Sequence, residues 1–142
     1  MNRIAASVLT PGLLLAFTLC GCAAKLTAVD EVKQVAGKVT VDENSPDKTV
    51  IGVNLLKTDV TDAWLEHLQG LPQLQSLNLT QTQIGDAGLK RLQGLTQLQS
   101  LELRETNLSD AGLEYLQALP ELQSLNLWGT NVSDAGLERI RR

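Results

Sequence analysis

From Val50 onward the sequence repeats itself on a 24-residue step. Leu74-Gln75-Ser76-Leu77-Asn78-Leu79 returns as Leu98-Gln99-Ser100-Leu101-Glu102-Leu103, and again as Leu122-Gln123-Ser124-Leu125-Asn126-Leu127. One step earlier stands a more divergent copy, Val50-Ile51-Gly52-Val53-Asn54-Leu55. Thr58, Thr82, Thr106 and Thr130 fill a further column, and Val60, Ile84, Leu108 and Val132 another. Asp62, Asp86, Asp110 and Asp134 follow, then Leu65, Leu89, Leu113 and Leu137. A unit of this length cannot bury its own apolar face, so successive units must stack. The repeats run over 50–73, 74–97, 98–121 and 122–142.

The physics of one unit is legible. Leu77-Asn78-Leu79 alternates apolar and polar residues, which is a short strand with one buried face. Thr82 sits at the bend behind it, where its hydroxyl can satisfy turn backbone groups. Gly85-Asp86, Ser109-Asp110 and Ser133-Asp134 have the chemistry of helix starts, with serine as cap and aspartate at the positive end of the dipole. Leu89, Leu92 and Leu95 then fall on one helical face. Gly88, Gly112 and Gly136 recur early in that helix. A glycine there costs about 1 kcal/mol against alanine, so its expected role is close packing. Trp64 replaces it in the first unit, where it is expected to pack at the end of the stack.

Leucine accounts for 28 of the 142 residues, and 23 of these lie after Gly21, nearly all in the repeating columns. Aromatic residues make up only 3%, and the net charge is −4. No basic stripe exists to displace counterions from nucleic acid, and few rings are available to stack on bases. Two cysteines cannot build a disulfide-rich scaffold.

The pattern L-x-x-L-x-L-x-x-T-x-I/V-x-D-A-G-L-x-x-L-x-x-L resembles the leucine-rich repeat, in the ribonuclease-inhibitor-like form with threonine in the inner turn. The resemblance covers Val50 to Arg142. It implies an α/β solenoid, a short curved horseshoe with parallel strands on the concave face and helices on the convex face. Right-handed β-α connections follow from the general rule. The resemblance speaks to fold far more than to function.

Solenoids need caps. Leu26 to Ala36 reads as a short amphipathic helix with Gly37 as its stop. Lys38 to Val41 alternates like a strand, and residues 42–48, with Ser45-Pro46-Asp47, form a turn. A helix and an antiparallel edge strand are thus the expected N-terminal cap, within a tether-and-cap region at 22–49. At the other end Arg139, Arg141 and Arg142 suit a helix C-terminus and a minimal cap. A longer array, or an oligomer through the open edge strand at Leu125 to Leu127, are the alternatives.

Residues 1–21 have the form of an export signal. Arg3 supplies the positive start, and Ile4 to Leu19 is an uncharged stretch interrupted by Pro11 and Gly12. It runs into Leu19-Cys20-Gly21-Cys22, which resembles the lipobox of bacterial lipoproteins, with Cys20 departing from the usual −2 residue. The resemblance implies a lipid on Cys22, a membrane held through that lipid, and a place in the bacterial cell envelope. Ala23 lacks the aspartate of inner-membrane retention, so the outer membrane is the expected one. An ordinary cleaved signal and an uncleaved anchor are the alternatives. Beyond Gly21 there are 11 basic and 16 acidic residues, a net −5, so charge alone does not hold this part on anionic lipid.

The outward strand positions define the candidate binding face. They are Gly52, Ser76, Ser100 and Ser124; Asn54, Asn78, Glu102 and Asn126; Leu56, Thr80, Arg104 and Trp128; and Lys57, Gln81, Glu105 and Gly129. The Leu56–Thr80–Arg104–Trp128 row varies while the buried columns hardly do. Tryptophan and arginine are frequent binding anchors, so a protein or peptide ligand, or a glycan, is expected there. The simpler structural reading has Trp128 covering the end of the sheet and Arg104 paired with Glu102 or Glu105. Four strands span roughly 15 Å, which suits a peptide or loop. Catalysis has little support: His67 is the only histidine, with no cluster for a metal and no phosphate loop. The expectation is therefore a binding module without cofactor, metal or nucleic acid. A structural envelope component without a discrete ligand is the alternative.

Overall fold

The structure, a computed structural model, describes residues 22–140. The export signal expected at 1–21 lies outside them. Five strands form one sheet in chain order: β1 (Lys38–Val41), β2 (Val50–Asn54), β3 (Ser76–Asn78), β4 (Ser100–Glu102) and β5 (Ser124–Asn126). β1 pairs antiparallel with β2, and every later pairing is parallel. Leu77 stands opposite Leu101, and Leu101 opposite Leu125, so one 24-residue step is one rung of the sheet. A parallel ladder leaves its strands no hairpin, and each returns through a helical segment on the far face.

Those return segments are α2 (Asp86–Arg91) and α3 (Asp134–Ile140), with tighter 3₁₀ geometry at Asp62–Gly70, Leu92–Gly94 and Gly112–Ala118. Regular α-helix in every repeat, as the leucine spacing suggests, is thus not what forms. A 3₁₀ turn rises further per residue than an α turn, which lets a short segment span the sheet and still bury Leu65 and Leu68, or Leu113 and Leu116.

The leucine columns make a single core. Leu77, Leu79, Leu101 and Leu103 are fully buried, as are Leu65, Leu68, Leu92 and Leu98. Burial falls away in the last repeat, where Leu122, Leu125 and Leu127 are half-buried and Leu137 is 42% exposed. Among the described residues no further layer covers them.

At the other end α1 (Cys22–Gln34) packs on the first convex segment and on β1. Ala28 and Val32 are buried, with Val29 and Val35 beside them on the same stripe. The helix starts four residues earlier than its apolar pattern indicates: the expected tether at 22–25 is helical, because Ala23, Ala24 and Lys25 are good helix formers. Its stop also differs. Ala36, not Gly37, takes the left-handed conformation, at φ 59°. Gly37 N–H then donates to the Val32 carbonyl at 2.9 Å, and Ala36 N–H to the Lys33 carbonyl at 3.1 Å, the paired bonds of a Schellman cap. Gly37 is needed for space, since a Cβ there would lie 2.7 Å from Val32 Cγ1 and 2.8 Å from Leu55 Cδ2.

The threonine column behaves as its position indicates. The Thr58, Thr82 and Thr106 hydroxyls donate to the Leu55, Leu79 and Leu103 carbonyls at 2.8, 2.7 and 2.8 Å. The aspartate column does not cap its own helices. Asp62 accepts the Gly85 N–H at 2.8 Å, and Asp86 accepts both the N–H and the hydroxyl of Ser109, at 2.8 and 2.6 Å. Asp110 does the same for Ser133, at 2.7 and 2.6 Å. Each carboxylate therefore ties its repeat to the next, a bond that a single repeat viewed alone cannot display.

The glycine column makes room for that bond. A Cβ on Gly88 would lie 2.5 Å from Asp62 Oδ1, and one on Gly112 or Gly136 would collide with Asp86 or Asp110. Trp64 takes this column in the first repeat, where α1 and not a preceding repeat packs on the convex segment; it is half-buried against the core, its ring 5.6 Å from that of His67.

Candidate functional site

The concave surface is the outward face of the five strands. Register places Gly52, Ser76, Ser100 and Ser124 in one row, and Asn54, Asn78, Glu102 and Asn126 in the next. β1 extends both rows, setting Thr40 beside Gly52 and Lys38 beside Asn54. Beyond the strand ends come Leu56, Thr80, Arg104 and Trp128, then Lys57, Gln81, Glu105 and Gly129.

That last column is a backbone feature. Lys57, Gln81, Glu105 and Gly129 all have positive φ, at 58°, 56°, 53° and 73°. The left-handed residue turns each chain out of the strand. Its N–H donates to the next repeat: Lys57 to the Thr80 carbonyl at 3.0 Å, Gln81 to that of Arg104 and Glu105 to that of Trp128, both at 2.8 Å. The Gln81 amide also donates to Glu105 Oε2.

The asparagines have a structural task as well. Asn54 Oδ1 accepts the Leu56 N–H at 3.0 Å, Asn78 Oδ1 the Thr80 N–H at 2.9 Å, and Asn126 Oδ1 the Trp128 N–H at 3.2 Å. These are turn-forming bonds from a side chain to the backbone two residues on. They leave the amide NH2 groups, and the second lone pair of each oxygen, for a ligand. Glu102 occupies the same column and makes no such bond.

Trp128 is 63% exposed, the most open large apolar side chain among the described residues, and Leu56 at the other end of the row is 45% exposed. The Arg104 guanidinium carbon lies 5.0 Å from the centroid of the Trp128 ring. The expected pairing of Arg104 with Glu102 or Glu105 does not form. A weakly hydrated, planar cation is well suited to an aromatic face, and Glu105 is already taken by Gln81.

A groove of about 480 Å³ runs over the strands, lined by Thr40, Gly52, Asn54, Ser76, Asn78, Ser100 and Glu102 among others. The structure therefore brings Asn54, Asn78 and Glu102 together in the groove and sets Arg104 and Trp128 side by side beyond it. Thr40 is a wall of the groove that the repeat pattern could not reveal, because β1 lies outside the 24-residue step. A second hollow, of about 180 Å³, lies at the end of the stack between Leu116, Leu119, Leu122, Leu125 and Ile140. His67 is exposed on the convex side, where a neighbouring pair, Arg91 and Glu66, forms an ion pair at 2.7 Å. Among the described residues no group of histidine, cysteine, aspartate and glutamate could hold a metal. No helix among them is long and apolar enough to cross a membrane.

Residues 71–92 and 94–116 match the family model described as Leucine Rich repeat. With the parallel sheet, the stacked return segments and the threonine turns, the fold is a short leucine-rich-repeat solenoid. Among solved structures the chain is similar to an internalin C2 from Listeria monocytogenes, at 30% identity over 54% of this chain, with a TM-score of 0.45. A second internalin from that organism is 25% identical over 58% of this chain, with a TM-score of 0.40. The chain spans 32% and 30% of the lengths of these two internalins. The ectodomain of a plant membrane receptor kinase from Arabidopsis thaliana, solved in complex with CASPARIAN STRIP INTEGRITY FACTOR 2, is 22% identical over 72% of this chain and 15% of its own, with a TM-score of 0.46. No curated protein matches the chain in sequence.

Proposed function

We propose that this solenoid is a protein-interaction module that holds a peptide or loop on its concave face, on a chain fixed to a bacterial membrane through a lipid at Cys22. The observation that carries the binding reading is Trp128, 63% exposed with Arg104 stacked on it. The ring is left largely open to water in a chain with 3% aromatics, and the Arg104 guanidinium lies over its face. Exposed, prepositioned aromatic and guanidinium groups are the usual anchors of an interface. Thr80 and Leu56 continue the row, and Asn54, Asn78, Glu102 and Asn126 border it.

The anchor reading rests on Leu19-Cys20-Gly21-Cys22. Two or more acyl chains give stable attachment where one does not. Such an anchor places α1, which begins at Cys22, close to the bilayer, on the outer membrane where the cell has one.

Crosslinked capture from the native envelope tests the binding reading. Partners recovered by the full-length chain and lost together from Trp128→Ala and Arg104→Ala, with far-UV circular dichroism unchanged, support it. Recovery unchanged in both variants rejects it. Acyl labelling that disappears in Cys22→Ser supports the anchor, and labelling that persists rejects it.

A further inference from the structure

Glu102 departs from its column by leaving its turn without a side-chain bond. Asn54, Asn78 and Asn126 each close a turn by accepting the N–H two residues on. Glutamate is one methylene longer, and Glu102 closes no such turn. Glu102 instead lines the groove over the strands, half-buried, with no ion pair or side-chain hydrogen bond to any described residue. The nearest cation along its own strand is Arg104, two residues on, and that guanidinium lies over the Trp128 ring instead. Of the other charged groups of this face, Glu105 is bonded by Gln81, Lys57 lies beyond the strand ends two strands away, and Lys38 stands three strands away, roughly 14 Å at ordinary strand spacing. The other groove residues, Thr40, Asn54, Ser76, Asn78 and Ser100, are uncharged.

We infer that Glu102 is the specificity residue of the concave face, and that it selects an extended protein segment presenting a lysine or arginine side chain. This rests on the concave-face reading above and names its partner's chemistry. A partly desolvated carboxylate among neutral hydroxyls and amides attracts a cation and rejects an acid. Two carboxylate oxygens with no internal donor match the fork of a guanidinium or the head of an ammonium. The hydroxyls of Ser76 and Ser100 and the amide of Asn78 line the rest of the groove for the segment's main chain. Trp128 keeps the site open by withholding Arg104: without the ring, Arg104 is free to neutralise Glu102.

The test titrates the full-length chain in detergent micelles with two probes, acetyl-Ser-Arg-Ser-amide and acetyl-Ser-Glu-Ser-amide, followed by amide chemical shifts. The arginine probe is expected to bind at least five-fold more tightly, with shifts centred on Ser76, Asn78, Ser100 and Glu102. Glu102→Gln and Glu102→Asn remove that preference. A three-residue probe occupies the groove and stops short of the Trp128–Arg104 pair beyond it, so Trp128→Ala weakens the arginine probe several-fold by freeing Arg104, and the double variant Trp128→Ala/Arg104→Ala restores it, although both substitutions remove anchors for a longer partner. Equal binding of both probes, a preference that survives Glu102→Gln, or no rescue in the double variant overturns the inference. Envelope partners that depend on Trp128 and Arg104 while the probes show no preference leave the concave face standing and remove only the role of Glu102.

Discussion

Asp86 is bonded to Ser109, one repeat further on. Oδ1 accepts the Ser109 backbone N–H at 2.8 Å and Oδ2 accepts its hydroxyl at 2.6 Å. The same link joins Asp110 to Ser133, and in reduced form Asp62 to Gly85. Coupling between neighbouring repeats is what makes a solenoid unfold cooperatively.

Removing the link should therefore loosen the stack more than it loosens a helix. A charge-assisted bond of this kind contributes about 1.5–3 kcal/mol, toward the low end where the pair is partly open to water. Asp86→Ala is expected to lower stability by about 2 kcal/mol, and Asp62→Ala by less, since Asp62 accepts only the Gly85 N–H. Urea unfolding curves measure both, and equal losses would contradict the difference in bonding.

The glycine beside each link should be intolerant of any side chain. Gly112→Ala places a Cβ against Asp86 and, 2.6 Å away, against Leu108 Cδ1; overpacking of this kind costs about 1–3 kcal/mol. Gly94→Ala is the control, because nothing lies within 4 Å of a Cβ there. It should be neutral or stabilising by up to about 1 kcal/mol. Thermal denaturation of the two variants side by side gives the comparison.

The threonine hydroxyls should count most where they are buried. Thr106 is 4% exposed, and its hydroxyl reaches the Leu103 carbonyl at 2.8 Å. Thr106→Val keeps the shape and leaves that carbonyl short of a donor, at a cost of about 1–2 kcal/mol. Thr130→Val in the more open last repeat should lose less. Chemical denaturation resolves the two.

The outward residues of the concave face should contribute little to stability. Trp128→Ala removes an exposed ring and one cation–π contact, with a change of about 0.5–1 kcal/mol or less in unfolding free energy. Glu102→Asn should move the other way, adding about 0.5–1 kcal/mol as a fourth turn-closing asparagine bonds the Arg104 N–H. A urea midpoint that falls in Glu102→Asn would show that the glutamate supports the fold.

Much of the architecture could be read directly from the residues. The alternation in Leu77-Asn78-Leu79 and the threonine that follows yield strand and turn, because both depend on neighbours within a few positions. The edge strand Lys38–Val41 is legible for the same reason. The early start of α1 escaped that reading because the apolar stripe begins only at Leu26, while Ala23 to Lys25 are helical by propensity. The candidate row Leu56–Thr80–Arg104–Trp128 is visible as variation within a repeat. The groove wall at Thr40 was not, since β1 joins the sheet by antiparallel pairing outside the 24-residue step.

The stacking, the register and the core follow from the residues alone, since a 24-residue period with fixed apolar slots admits one way to bury them. The partners of the polar columns were decided by tertiary structure alone. An aspartate ahead of a helix has the same local chemistry whether it caps that helix or reaches the next repeat. Only the spacing of stacked layers brings Ser109 to Asp86 in place of the helix's own N–H groups. Arg104 likewise has two glutamates near it in sequence, and it is the adjacent strand that sets the Trp128 ring within reach and leaves Glu102 free.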